Sequence, residues 1–167
     1  KALASAVTLD YPNPTVEKHP LELVVIALSD AYASQAEFEQ NSPKTPELYK
    51  KAIDLLEKYG AFHSKELAAN RLNRMAEIQF FWGKYLLEND KPAEAVAHFN
   101  TSLQTAKKLN TILGAETQEE IRPELLDLSP LYLELGKARL LEGKPAEART
   151  AFEQADNSTT RKYGGTG

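Results

Sequence analysis

One segment occurs twice in this 167-residue chain, and the two copies keep the same register. In the first copy WGKYLLE, around Gly83, precedes KPAEA, which begins at Lys91. In the second copy LGKARLLE, around Gly136, precedes KPAEA at Lys144, so the offset is 53 residues (136 − 83). Self-similarity at a fixed offset is typical of repeat folds, in which each unit buries its apolar face against its neighbours.

Each copy places a small residue on one predicted helix and a small residue followed by an aromatic residue on the next. These positions are Gly83, Ala95 and Phe99 in the first copy and Gly136, Ala148 and Phe152 in the second. Because small residues let two helix backbones approach closely, the pattern predicts paired helices in close contact at the glycine and alanine positions.

The spacing resembles the tetratricopeptide repeat, in which L-G-x2-Y and then A-x3-F lie on a helix–turn–helix of 34 residues. The match is specific over residues 76–107 and 129–157, with Gln79 where an aromatic residue is usual and Ser102 where alanine is usual. A weaker third copy lies upstream, with Ser29, Ala52 and Leu56 at the corresponding positions and a longer turn over 41–46. The wider spacing is similar to that of kinesin light chains and bacterial signalling proteins.

The resemblance implies an all-α fold, a right-handed superhelix of about three antiparallel helix pairs. Prolines and capping residues predict an extended lead-in over 1–19, a helical domain over 20–163 and a flexible tail over 164–167. The predicted helices cover 20–39, 45–60, 64–90, 92–113, 117–142 and 145–162. Pro123 and Pro130 interrupt the fifth, which begins at Thr117 or only near Pro130. The ends look cut, and we expect a fragment of a longer chain.

Composition argues against several classes of function. The net charge of −4, with no cluster of Lys and Arg, disfavours a nucleic-acid surface. No apolar run approaches the roughly 18 residues of a membrane span, so no membrane insertion is expected. The absence of cysteine excludes disulfides and thiolate metal sites but leaves the compartment open, with the cytoplasm slightly favoured over the periplasm.

No common catalytic constellation is present, and we expect no enzymatic activity, no cofactor and no metal site. The three histidines are separated in sequence, and His98 is expected at a partly exposed helix surface. The acidic side chains between Glu116 and Asp127 are expected to favour a helix start and to stay solvated.

The remaining candidate site is the concave face that the first helices of successive repeats form in such folds. The repeat register predicts a partner-binding groove there, formed by Asp30, Phe80, Phe81, Lys84, Leu87, Glu88, Leu133, Glu134, Lys137, Leu140 and Leu141. Lys84 and Lys137 align with each other and are expected to meet a carboxylate or a peptide carbonyl. The alternative is that the aromatic and leucine side chains pack between helices while the lysines are solvated.

The expected function is therefore a protein–protein interaction module that binds a peptide, a partner protein or another domain of its parent chain. Chaperone-binding members of the family use paired lysines and asparagines on these helices, but Phe80 and Phe81 stand where polar groups would be needed. An apolar or mixed peptide is expected instead. The alternative function is a structural or self-associating segment of a longer array, as a monomer or weak homo-oligomer.

Overall fold

The computed structural model describes residues 19–39, 42–59, 65–115 and 127–163, and within these ranges it contains helices and no strand. The prediction of an all-α fold is therefore confirmed. The helices are α1 (His19–Phe38), α2 (Thr45–Lys58), α3 (Lys65–Glu88), α4 (Pro92–Ala115), α5 (Ser129–Leu141) and α6 (Pro145–Tyr163). The predicted tail and all of the lead-in except His19 lie outside the described residues.

The bounds of α1 to α4 and of α6 agree with the predicted bounds to within a few residues. The fifth helix differs, because Asp127 and Leu128 are not helical and α5 begins at Ser129, next to Pro130. A helix that runs without interruption from Thr117 is therefore wrong, and the later start is confirmed. The Asp127 carboxylate accepts hydrogen bonds from the Ser129 amide at 2.9 Å and from its hydroxyl at 2.8 Å, which holds the chain at the entry to the helix.

The helices pack as three consecutive antiparallel pairs, α1 with α2, α3 with α4, and α5 with α6. The second pair is closest at Gly83, where an added Cβ would lie 2.6 Å from Cε1 of Phe99. In the third pair Gly136 meets the ring of Phe152 in the same way. Ala95 and Ala148 are fully buried. The predicted close contacts are thus present in both copies.

The first pair has a polar variant of the same contact. Ser29 replaces glycine, and its hydroxyl donates a 2.9 Å hydrogen bond to the backbone carbonyl of Ala52. Both residues are fully buried, as is Leu56 at the position of Phe99. The packing of α1 on α2 therefore supports the weaker third copy.

The turns after α3 and α5 have the same backbone hydrogen bonds. The amide of Lys91 donates to the Leu86 carbonyl, and that of Lys144 to the Arg139 carbonyl, both at 2.9 Å. One residue earlier, Asp90 and Gly143 have positive φ angles, 57° and 74°. This is the Schellman arrangement that ends many helices, usually with glycine at the left-handed position. The repeat therefore extends to backbone conformation.

Replacing Asp90 by glycine is expected to stabilise the fold by up to about 1 kcal/mol, because an L-residue is strained in the left-handed conformation. Gly143→Asp should destabilise it by a similar amount. No atom lies within 4 Å of a Cβ added to Gly143, so this change adds no steric clash. Urea unfolding midpoints test both variants, and shifts of the same sign would contradict the equivalence of the two turns.

The glycine contacts predict a difference between the two copies. Gly83→Ala should destabilise the fold, because overpacking costs on the order of 1–3 kcal/mol and exceeds the roughly 1 kcal/mol gained in helix propensity. Phe99 is fully buried and cannot move aside, whereas Phe152 is only partly buried and can. Gly136→Ala should therefore be nearly neutral. Equal losses in thermal unfolding temperature would show that both rings are held equally tightly.

Candidate functional site

One face of the molecule is formed by the first helices of the three pairs. On this side α1 contacts α3 and α3 contacts α5, whereas α2 with α4 and α4 with α6 make fewer contacts in the described part of the chain. The first helices of successive pairs therefore lie closer together than the second helices do.

An ionic cluster joins α1 to α3 on this face. The Nε atom of Arg74 lies 3.4 Å from a carboxylate oxygen of Asp30, and its Nη1 atom lies 2.7 Å from Glu77. Burial raises the pKa of Asp30; the positive charge of Arg74 opposes this shift and the carboxylate of Glu77 adds to it. Asp30, predicted as a groove residue, thus lies in a half-buried network shared by two helices.

Lys84 lies further along α3 and makes no ion pair within the described residues. Its ammonium group lies 5.9 Å from the centre of the Phe80 ring, at the outer limit of a cation–π contact. Burial raises the pKa of Glu37 on α1, and Glu77 adds to this shift while the positive charge of Lys84 opposes it. Lys84 therefore lies in a partly buried and mainly acidic environment.

The aligned lysine on α5 has a different local environment. Lys137 is half exposed, and its ammonium group lies 2.7 Å from a carboxylate oxygen of Glu134. Most of the Glu134 side chain is buried. The two lysines thus occupy equivalent positions in the repeat, but only Lys137 has a salt-bridge partner among the described side chains.

Phe80 and Phe81 pack mainly between helices. Their rings meet edge to face at a centroid distance of 5.5 Å. Phe80 also lies 6.0 Å from the Phe99 ring, where α3, α4 and α5 meet, and Phe81 packs against the α1–α2 core. The two rings remain partly exposed and contribute to the groove wall only through that exposed fraction.

The predicted site residues divide between two surfaces. Glu88 is exposed near the end of α3, and Leu141 is exposed at the end of α5. Leu133 and Leu140 line a cleft of about 550 Å³ between α5 and α6, on the outer side of the last pair. These two leucines therefore lie on the last described helix pair, away from the Asp30 cluster.

A packed aromatic cluster around Trp82 was not expected as a unit. The imidazole of His98 lies against the Trp82 ring at a centroid distance of 4.1 Å, with the two planes tilted by 30°. The Tyr49 ring stacks on the same Trp82 ring at a centroid distance of 6.0 Å. His98 Nδ1 lies 2.6 Å from the Gln79 side-chain oxygen. Because an amide oxygen only accepts hydrogen bonds, Nδ1 is the donor. The sequence signal that could have predicted this cluster is Gln79, which replaces the aromatic residue of the repeat pattern. Its side chain on α3 pairs with His98 on α4.

This cluster predicts a pH dependence of stability. Burial lowers the pKa of His98, and Glu94 opposes the shift only in part. The unfolded chain therefore binds the proton more readily, so the free energy of unfolding should fall as pH decreases from 7.5 through the ordinary histidine pKa of about 6.5. Urea unfolding at pH 7.5 and 5.5 tests this, and His98→Gln should reduce the difference. An unchanged difference would assign it to other groups.

The described residues contain neither a candidate metal site nor a membrane-spanning helix. No group of three His, Asp or Glu side chains there is arranged to hold a metal ion. None of the described helices combines the length and apolar character needed to cross a membrane. Comparison with known proteins gives no match to a family model, a curated protein or a solved structure.

Proposed function

We propose that this protein is a non-catalytic protein–protein interaction module of the tetratricopeptide type, a right-handed superhelix that binds a peptide along its concave face. The observation that carries this proposal is that the first helices of successive pairs, α1 with α3 and α3 with α5, make closer contact than the second helices do. This asymmetry favours a continuous concave surface formed by the first helices. Peptide binding on such surfaces is a common use of helical repeats.

The contacts within the pairs also support the proposal. In both clear copies a glycine on the first helix receives an aromatic ring from the second, next to a fully buried alanine. The resemblance to the tetratricopeptide repeat rests on these same positions. The contacts that these residues make therefore support the proposal.

The charges on the face favour a peptide of mixed character. Arg74 is neutralised by Asp30 and Glu77, and Lys137 by Glu134. Lys84 is the cation best placed to receive a peptide carboxylate or carbonyl. The partly exposed edges of Phe80 and Phe81 provide apolar surface beside it, so we expect a ligand with an acidic residue near an apolar one.

Charge reversal at both aligned lysines tests the proposal. Peptides are first selected from a displayed random library on the wild-type protein. Lys84→Glu combined with Lys137→Glu should weaken binding of the selected peptides by at least about tenfold, because the contact at Lys84 becomes repulsive and the loss of the Lys137 cation leaves the Glu134 carboxylate unneutralised on the same face. Isothermal titration calorimetry measures the change, and the melting temperature verifies the fold.

The matched control is Lys50→Glu combined with Lys91→Glu, which makes the same change in net charge away from the face. Both control lysines are exposed and form salt bridges with neighbouring carboxylates. The control variant should bind as the wild type does. Equal weakening in the two variants would indicate a non-specific charge effect, and a selection without enriched peptides would contradict peptide binding.

A further inference from the structure

The cleft between α5 and α6 is the equivalent of a surface that is covered one repeat earlier. At the 53-residue offset Leu133 corresponds to Phe80, and Leu140 to Leu87. In the preceding pair Phe80 and Leu87 pack in the same cluster as Ala138 of α5. In the last pair Leu140 is 50% exposed. The repeat itself therefore indicates what fits this cleft: a helix that presents the same residues as α5.

Helix α1 presents such residues at the opposite end of the molecule. When Ser29 is aligned with Gly136, Val24 corresponds to Leu131 and Ala31 to Ala138. Leu131 and Ala138 are 6% and 0% exposed, because they pack against the α3–α4 pair. Val24 is 48% exposed and Ala31 is also exposed. The docking face of α5 thus recurs on α1, and none of the described helices covers it there.

We propose that α1 of one copy docks into the α5–α6 cleft of a second copy, in the register in which α5 packs on α3 and α4. The contact joins two different surfaces, so the copies associate head to tail and each added copy leaves one new α1 face and one new cleft. This interface does not involve the concave face and does not depend on peptide binding. The alignment of α1 with α5 thus identifies α1 of a second copy as the helix that fills the α5–α6 cleft.

Two substitutions make the cleft more polar than its counterpart. Arg149 corresponds to Val96, and Asp156 to Leu103. Both counterparts are buried in the clusters that α5 completes, whereas Arg149 is largely exposed and pairs with Glu153 at 2.9 Å. The charged side chains limit the apolar area available, so association is reversible, with a dissociation constant on the order of 10 µM to 1 mM.

Mixing two interface variants tests the head-to-tail arrangement. Ala31→Arg blocks the α1 face and leaves the cleft, whereas Leu140→Arg blocks the cleft and leaves the α1 face. Sedimentation velocity up to about 1 mM should give oligomers for the wild type and monomers for each variant alone. An equimolar mixture should give a dimer and nothing larger, because only one productive interface remains. Circular dichroism and melting temperatures verify that both exposed substitutions leave the fold intact.

The absence of cysteine from the chain allows a test of register by crosslinking. Ala138 shares a cluster with Val96, so Ala31 of one copy should lie near Arg149 of the next. Under mild oxidation, Ala31→Cys mixed with Arg149→Cys should give at least about ten times more mixed dimer than Ala31→Cys with Lys50→Cys. Lys50 is exposed on α2 and lies outside the proposed interface.

Three results would overturn the proposal. A wild-type chain that stays monomeric up to about 1 mM would leave the cleft to another occupant, such as a further helix of a longer chain. Oligomers that persist in either arginine variant would place the interface elsewhere. A mixture of the two variants that stays monomeric would exclude the head-to-tail contact.

Discussion

The close approach of paired helices at glycine is the constraint on which the rest of this structure depends. At Gly83 the buried Phe99 ring occupies space that any side chain would need, and at Gly136 the partly exposed Phe152 ring occupies the corresponding space. In these two pairs the contact sets the separation of the helices and places an aromatic ring between them. The neighbouring alanine, fully buried in each copy, completes the contact from the second helix. The pairs then stack because each leaves apolar surface beside this contact.

Much of the fold could be predicted from the sequence because the same helix pair is encoded twice, so positions that both copies share could be identified by comparison. The glycine and alanine positions were predicted correctly, since small residues at fixed offsets have few other uses in helices. The start of the fifth helix was left open, because two prolines and an acidic run allow either of two starts. Asp127, which accepts two hydrogen bonds from Ser129, decides that start in the structure. Such local polar contacts carry no periodicity and are hard to recognise in advance.

The candidate site was harder to predict than the fold, since a repeat register assigns a residue to a helix but leaves its degree of burial open. Phe80 and Leu133 occupy equivalent positions, yet Phe80 packs in a core cluster and Leu133 is exposed. The difference is that α5 covers the second pair, whereas no described helix covers the third. Lys84 and Lys137 also align, but only Lys137 has a carboxylate partner, because Phe81 stands at the position that corresponds to Glu134. Position in the array and local sequence together therefore determine what each aligned residue is available to do.

The two ends of the array follow from the same argument. A repeat that packs its neighbours through one set of residues must expose that set wherever the stack stops, unless polar residues replace it. Here the replacement is partial: Arg149 and Asp156 stand at two of the positions, while Leu140 and the α1 face keep their apolar character. A fully apolar end would associate without limit, and a fully polar end would not associate at all. This mixture of apolar and charged side chains supports the reversible association proposed between copies.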